Sequence, residues 1–429
     1  MSRVLLLGLI IFILVIGGLA TFNPEWLALS IPLAVYLFTS FLLAPERVEL
    51  TVERSFSVER TAPGMPIIVT LVITNKGSAL RQVRLRDPLP SFIKVTDGSA
   101  TRFVSLAAGQ TITWIYTMTG QRGFHNFQGL EAEVSDPLGL LVQRHFLPTE
   151  GQVLILPLAP RVRRISIRPR VTRVYSGIIP ARQGGSGVEF FGVREYSPGD
   201  PPRAINWRAS ARHQQAVFAN EYEQERVADV GIILDGRRHV NEFSQDRSIF
   251  EHSIIAAASL SDAFINSGNR VGLLVYGQYV NWTYPNYGKF QRERILQALA
   301  RAHTGNSQVF SGMYIPRSLF PAHSQIVLVS PLHFDDVEAL VNLRARGYSL
   351  MVISPDPVLF ESRFLFPTAD VGYAARILRL QRHVTLQRLC HAGIQVVDWD
   401  VEHPFERVVE SVLSRPPAFL RAIGVGDSL

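Results

Sequence analysis

Val230-Gly231-Ile232-Ile233-Leu234-Asp235 is the stretch that decides the fold, an apolar run that ends in a single acid. A short uninterrupted apolar run is typical of a strand buried on both faces, as in a parallel sheet. Similar runs follow at 270–276, 325–330, 350–354 and 394–398, and helical patterns alternate with them at 243–264, 291–303 and 335–346. This alternation predicts a doubly wound α/β domain over residues 226–429.

A second unusual stretch, residues 184–212, precedes this domain and brings glycines, opposite charges and aromatics together. Its three glycines at 184, 185 and 187 predict a flexible approach to a short strand at 188–193. Residues 197–201 predict a turn by their local chemistry, and a helical turn with Arg208 follows. The glycines do not form a dinucleotide fingerprint, because Phe190 occupies the position of the third glycine.

The charged residues of this stretch predict a partly buried network of ion pairs. Bidentate arginine–carboxylate pairs fix geometry well, and Trp207 would cover them. The candidates for the network are Glu189, Arg194, Glu195, Asp200, Arg203 and Arg212. Paired carboxylates could instead serve acid–base chemistry, but the chain offers no nucleophile motif or metal-ligand set beside them.

The same stretch resembles the bacterial and archaeal family called domain of unknown function 58. The residues that carry the resemblance, and that we take as candidate binding residues, are Gly187, Glu189, Arg194, Glu195, Tyr196, Gly199, Asp200, Arg203, Asn206, Trp207 and Arg212. The resemblance implies a membrane hairpin, a β domain with an Asp-Pro-Leu-Gly-Leu corner at 136–140, and a domain similar to von Willebrand factor A. It also implies association with a MoxR-type AAA+ ATPase, and no established activity.

In the von Willebrand factor A family the carboxyl edge of the sheet holds a divalent cation. An Asp-x-Ser-x-Ser loop, a Thr and a distant Asp supply oxygen ligands there. Here Asp235 matches, but Arg237 and His239 replace the two serines, and Pro331 stands where an acid is expected. We therefore expect neither a metal nor another cofactor at this edge.

The alternative left open for this edge is that Arg237 and Arg238 bind an anion or an acidic partner residue. His333, Asp335 and Asp336 follow closely after Pro331 in sequence, where they form either a small acidic cluster or, for the two aspartates, the cap of a helix.

Residues 47–158 read as an all-β domain. Apolar and polar residues alternate at 48–54 and 82–86, and β-rich runs occupy 66–74 and 111–117. Short strands separated by turn residues, without a long helix, predict an antiparallel, Ig-like sandwich.

Residues 159–225 comprise an arginine-rich connector, with six arginines between 161 and 173, and the signature that follows it. We consider a contact with anions or lipid headgroups, or a solvated connector that pairs with acids elsewhere. The net charge is +7, and arginine supplies almost all of the positive charge. Since no aromatic residues are interleaved with the connector's arginines, nucleic acid is not an expected partner.

Residues 1–46 predict a transmembrane hairpin. Two apolar runs, 4–20 and 26–44, are each close to the length that crosses a bilayer, and a short polar turn joins them. A signal peptide is the alternative, but no convincing cleavage site precedes the second run. Arginines flank the hairpin and the turn has none, which places both ends and the rest of the chain in the cytoplasm. The only cysteine, Cys390, is expected in a core.

These features together favour a multi-pass protein of the cell (inner) membrane that binds other proteins. We expect a scaffold that works with an AAA+ ATPase in assembly or maturation, held to membrane lipid by the hairpin. A structural cell-envelope protein is the first alternative. A hydrolase that uses Glu189, Glu195 or Asp200 is a weaker one, and no enzymatic activity is expected.

Overall fold

The structure is a computed structural model, and it describes residues 3–43, 48–162, 173–212, 216–241, 243–244, 247–306, 315–316, 318–322 and 324–413. The chain divides into two compact units, Met1–Leu156 and Pro157–Leu429. Each unit is long enough for a buried core of its own. Most arginines of the connector, from Arg163 to Arg170, lie outside the described residues.

The first unit begins with two helices, α1 Arg3–Thr21 and α2 Pro24–Leu42. Asn23 caps α2, because its side-chain oxygen accepts a hydrogen bond of 3.0 Å from the backbone of Glu25, and Pro24 suits the first helical position. Both helices are long and apolar enough to cross a membrane, so they could anchor the chain there.

Nine strands follow, and they form two sheets that share one core. The strands are β1 Leu50–Phe56, β2 Arg60–Thr61, β3 Ile67–Asn75, β4 Leu80–Arg86, β5 Ile93–Asp97, β6 Thr101–Leu106, β7 Thr111–Gly120, β8 Gly123–Ser135 and β9 Val142–Ile155. One sheet has the order β1-β3-β7-β5 and the other β2-β9-β8-β4-β6. All pairs are antiparallel except β2 with β9, which confirms a β-sheet domain.

The corner between β8 and β9 is tied to helix α2 by hydrogen bonds. Asp136 is fully buried, and its carboxylate accepts from the backbone of Leu138 and Leu141 at 3.2 and 2.8 Å. The same carboxylate accepts from the hydroxyl of Ser40 on α2 at 2.5 Å. The Tyr36 hydroxyl donates to the Leu138 carbonyl at 2.9 Å. The corner residues predicted at 136–140 therefore join the helical hairpin to the β domain.

The second unit starts with a long two-stranded ribbon, β10 Arg173–Glu195 and β11 Phe218–Val227, with a short helix, α3 Trp207–Ser210, between them. The strand predicted at 188–193 is thus part of a much longer one. The glycines at 184, 185 and 187 lie within this strand rather than in a flexible approach. The pairing shifts register between 181 and 190, and such irregularities are where a strand tolerates glycine.

The remainder is α/β, as predicted. Its elements are β12 Asp229–Asp235, β13 Phe243–Ser244, β14 Arg247–Ser248, α4 Ile249–Asn266, β15 Arg270–Tyr276, β16 Val280–Asn286, α5 Gly288–Ala300, β17 Gln325–Val329, α6 Asp336–Ala345, β18 Ser349–Pro355, α7 Pro357–Ser362, α8 Ala369–His391, β19 Gln395–Trp399 and α9 Phe405–Leu413. The sheet order is β16-β15-β12-β17-β18-β19, and only β16 runs antiparallel to its neighbour.

Two predictions about this part were wrong, and one strand was missed. The helix predicted from 243 begins at Ile249, because the Ser248 hydroxyl caps it and the residues before it form the small pair β13–β14. The edge strand β16 was not predicted. Cys390 is exposed at the end of α8 rather than buried in a core, since it lies at the margin of the face that the helix buries through Leu386 and Leu389.

Candidate functional site

The candidate site lies at the carboxyl ends of β12 and β17. From β12 the sheet grows outward to β15 on one side and to β17 on the other, so the strand order reverses there. Such a reversal opens a crevice between connecting loops, where α/β proteins bind ligands. Asp235 ends β12 and Ser330 follows β17, and both are fully buried. The sequence placed Asp235 at this edge.

The guanidinium of Arg237 fills the space between two carboxylates at this edge. Its Nε and Nη2 donate to the carboxylate of Asp235, at 3.0 Å to Oδ1 and 2.8 Å to Oδ2. Its Nη1 and Nη2 donate to the carboxylate of Asp336, at 2.9 and 2.7 Å. Only 7% of the Arg237 side chain is exposed. One arginine thereby forms two bidentate pairs with residues from two loops.

Hydrogen bonds from neighbouring groups hold the carboxylates in place. The Ser330 hydroxyl donates to Asp235 at 2.7 Å, and the backbone of His333 donates to Asp336 at 2.8 Å. Asn241 donates to the backbone carbonyls of Asp235 and Arg237. Burial alone would lower the pKa of Arg237, but its hydrogen bonds to Asp235 and Asp336 outweigh burial and raise that pKa. Arg237 therefore stays charged.

This donor set does not fit a divalent cation. The Arg237 guanidinium already satisfies both carboxylates and supplies the positive charge that a cation would bring. In the part of the chain that the structure describes, no cluster of three or more acidic, histidine or cysteine side chains is arranged for a metal. Arg237 also does not face an external anion, as one alternative had it. Of the two arginines in the loop, Arg238 is the exposed one.

A second buried arginine at the same edge was not predicted. Arg382 of α8 donates to the carbonyl of Pro331 at 2.9 Å, to the carbonyl of Ser354 at 3.0 Å, and to the carboxylate of Asp398 at 2.6 Å. These groups follow or end three neighbouring strands, β17, β18 and β19. Because Arg382 lies in a helix with many arginines, no local sequence signal separates it from the solvated ones.

In the signature, one ion pair organises the turn. Arg194 forms a bidentate pair with Asp200, with both distances 2.7 Å, and its Nε lies 3.6 Å from Glu221. Gly199 has a φ of +111°, which favours glycine, and the backbone of Asp200 donates to Ser197 at 3.0 Å. The turn predicted at 197–201 is thus confirmed. The Tyr196 hydroxyl donates to the Asp200 carbonyl at 2.8 Å and closes it further.

The rest of the predicted charge network is not formed among the described side chains. Arg203, Arg212 and Glu195 are exposed and make no ion pair there, while the side chain of Glu189 and the surroundings of Gly187 are outside what the structure describes. Trp207 does not cover the network either, because 73% of it is exposed. The asparagine of the signature has a structural role: Asn206 caps α3 and donates to Asn220 of β11 at 2.7 Å.

Helix α8 exposes an apolar stripe that the sequence reading missed. Four residues spaced by four, three and four positions, Tyr373, Ile377, Leu380 and Val384, are all exposed, with Leu380 at 67%. This spacing places them on one face of the helix. The buried residues Arg382, Leu386 and Leu389 lie on the opposite face. The sequence does contain a signal for this stripe, because apolar residues recur at helical spacing on two faces of α8 rather than on one.

Edge strand β16 and the start of α5 expose aromatic residues as well. Trp282 and Tyr284 alternate along the strand and line a groove of about 410 Å³ together with Arg294 of α5. Within the sheet, β16 pairs only with β15, so its other edge has no strand partner among the described residues. Aromatic side chains beside an arginine are typical of protein-binding surfaces.

Comparisons with known proteins identify similarity to a protein family in one region of the chain. The family model "Protein of unknown function DUF58" matches residues 192–323, which include the turn of the signature and the Asp235–Arg237 pair. "Uncharacterized protein YeaD" of Bacillus subtilis (strain 168) is 28% identical over 280 residues, 62% of this chain and 68% of that protein.

Two solved structures are similar to a quarter of the chain. A CARDB domain from Pyrococcus furiosus is 14% identical with a TM-score of 0.19, covering 26% of this chain and 96% of that one. A non-cellulosomal cohesin from Archaeoglobus fulgidus is 16% identical with a TM-score of 0.18, covering 25% and 91%. Scores this low carry no argument. The similarity that the comparisons establish is the one to the protein family of unknown function DUF58, over residues 192–323.

Proposed function

We propose that this protein is a membrane-anchored scaffold that binds other proteins. The observation that carries the proposal is the outward apolar stripe of α8, Tyr373, Ile377, Leu380 and Val384. Helices in water owe most of their stability to packing of an apolar face, and α8 already packs its opposite face on the core. A second apolar stripe therefore exceeds what the fold needs. Contiguous exposed apolar surface marks an interaction site.

Charge around the stripe indicates the chemistry of the partner. Arg376 and Arg388 are exposed on the two sides of it, while the first turn of α8 contains one acid, Asp370. An apolar stripe with basic flanks suits an amphipathic helix whose flanks are acidic. The exposed Trp207 of the signature and the aromatic residues of β16 offer further anchor residues of the kind that dominate binding energy.

The same geometry favours binding over catalysis. A hydrogen bond from Arg194 lowers the pKa of Asp200, and the backbone of Ser197 adds to the effect. A carboxylate held ionised in this way is a poor general acid or base near neutral pH. Asp235 and Asp336 are saturated by Arg237. Of the carboxylates proposed for a hydrolase, Asp200 is thus engaged in a structural pair, and Glu195 is exposed on the surface with no ion pair among the described residues.

The finer assignments form part of this proposal. We infer that the β domain is an Ig-like sandwich and that the α/β domain is a von Willebrand factor A-like domain with a degenerate metal site. The hairpin is proposed to cross the cell (inner) membrane twice, with the bulk of the chain in the cytoplasm. The resemblance described above supports an AAA+ ATPase as the partner, which would act on client proteins that the scaffold presents.

The test is affinity capture of the detergent-solubilised, full-length protein from its own cells, with ATP or ADP, read by mass spectrometry. We expect an AAA+ ATPase whose recovery changes with the nucleotide. The double variant Ile377→Ser, Leu380→Ser should lose most of that recovery, because two apolar anchors worth about 1–3 kcal/mol each are removed. Gln381→Ser, on the same helix, is the matched control.

Trp207→Ala tests the signature separately, since the side chain is exposed and its removal leaves the core intact. Capture that is equal for wild type and all three variants would argue against binding through either surface. Recovery of envelope proteins without an ATPase would instead favour a structural role in the cell envelope.

A further inference from the structure

The first unit contains a groove of about 1100 Å³ between one sheet of the β domain and the start of helix α1. Strands β4, β6, β8 and β9 supply its floor and walls, and Arg3 of α1 and the corner at 139–140 close one end. Arg3 is held there, because its guanidinium donates to the carbonyl of Gly139 at 3.1 Å. None of the features discussed above accounts for this groove.

The groove is basic. It is lined by four arginines, Arg3, Arg81, Arg84 and Arg144, and by one acid, Glu133. Glu133 accepts from Arg84 at 3.3 Å and from Arg144 at 2.7 Å. It therefore serves two arginines at once, and Arg3 and Arg81 have no carboxylate partner among the described residues. Four arginines against one acid leave an excess of positive charge that favours an anion.

The position of Arg3 relates the groove to the bilayer. Helix α1 has 19 residues, and at 1.5 Å per residue it spans about 29 Å, close to the thickness of the hydrocarbon layer. If α1 crosses the membrane, Arg3 at its first turn lies at the level of the lipid headgroups. An arginine at a helix end extends its side chain toward that level. The groove then opens where lipid phosphates are concentrated.

The walls also carry exposed apolar side chains, Phe103 and Val142. A soluble phosphate makes no apolar contact with such side chains, whereas the glycerol and upper acyl carbons of a lipid pack against them. Arginine is the residue best suited to a phosphate, because its planar fork donates two parallel hydrogen bonds. We propose that this groove binds the phosphate of an anionic phospholipid headgroup, with Arg3 and Arg81 as its main donors. The proposal rests on the membrane anchoring proposed above.

The test uses the full-length protein reconstituted in nanodiscs of phosphatidylcholine and phosphatidylglycerol, followed by native mass spectrometry of the lipids that remain bound. Wild type should retain phosphatidylglycerol selectively. Arg81→Ala should lower that retention about fivefold, as expected for one arginine at a lipid surface. Arg3→Ala with Arg81→Ala should lower it further. The matched control is Arg102→Ala, an exposed arginine of the same sheet that lies outside the groove.

Equal retention in wild type, Arg81→Ala and the double variant would overturn the lipid site. So would displacement of the lipid by millimolar inorganic phosphate, which would assign the groove to a soluble anion. Thermal unfolding of each variant confirms that Arg81→Ala, an exposed position, leaves the fold intact.

Extraction of the membranes at alkaline pH separates this proposal from the anchoring. Wild type that leaves the membrane overturns the anchoring and the lipid site together. Wild type that stays inserted but shows no preference for phosphatidylglycerol overturns the lipid site alone.

Discussion

Arg237 places a single guanidinium between two buried carboxylates, those of Asp235 and Asp336. A buried carboxylate without a counter-charge is strongly unfavourable, so the two acids require a cation in this position. The side chain supplies that cation permanently, independent of metal supply. Ser330 and the backbone of His333 satisfy further lone pairs of the same acids. At the scale of the residue, the protein's own Arg237 thus neutralises both carboxylates and fills this edge of the sheet.

The first prediction concerns this pair. Arg237→Ala should destabilise the protein by about 3–5 kcal/mol, because it leaves buried carboxylates uncompensated. Arg238→Ala, at the exposed neighbour, should change stability by less than about 0.5 kcal/mol. Chemical denaturation of the full-length protein in detergent measures both. Addition of Mg²⁺ should not raise the melting temperature of wild type, and a clear rise would show that a cation competes with Arg237.

At the scale of the element, the corner between β8 and β9 matters most, since it connects the β domain to helix α2. Its geometry depends on one acid with three donors from two elements: the backbone of Leu138, the backbone of Leu141 and the hydroxyl of Ser40. A buried carboxylate with several donors fixes both the corner and the end of the helix. The corner therefore fixes the end of α2 to the strands β8 and β9.

The prediction for this element is that Asp136→Ala lowers stability by about 2–3 kcal/mol, since buried donors lose their acceptor. Asp136→Asn keeps an acceptor oxygen and should cost less. Ser40→Ala removes only one of the three donors and should cost least of all. Thermal unfolding followed by intrinsic fluorescence of Trp114, which lies in the core of the β domain, is the measurement. Equal melting temperatures for wild type and Asp136→Ala would contradict this account of the corner.

At the scale of the whole molecule, the exposed apolar surfaces are distributed over distinct parts of the chain: the hairpin helices, α3 of the signature, edge strand β16 and helix α8. In the proposed scaffold, the first of these meets lipid and the other three are available to proteins. The proposed topology requires the protein-binding surfaces to share the compartment of the arginines that flank the hairpin.

The only cysteine tests this topology. Cys390 is exposed, so a membrane-impermeant maleimide should label it in inside-out vesicles and not in right-side-out ones. Although the residue is exposed, desolvation of its thiol by neighbouring groups raises the pKa of Cys390, and labelling at mildly alkaline pH offsets the resulting lack of thiolate. A Thr21→Cys, Cys390→Ser variant, with its thiol at the other end of the hairpin, should show the opposite pattern. Labelling of Cys390 in right-side-out vesicles would contradict a cytoplasmic location.

By itself, the sequence determined the features that depend on neighbouring residues. The apolar lengths of α1 and α2, the alternation of strands and helices from 229 onward, and the turn at 197–201 all follow from local pattern. The presence of Arg237 and His239 after Asp235 was equally visible.

Only the tertiary structure decided which groups pair with Asp235 at the edge of the sheet. Asp336 lies 99 residues from Arg237, and no periodicity encodes a contact of that separation. The exposure of Trp207 and Cys390, the buried role of Arg382 and the outward stripe of α8 depend on which face of an element meets the core. Local sequence leaves that choice open wherever both faces carry apolar residues, and packing of the whole domain resolves it.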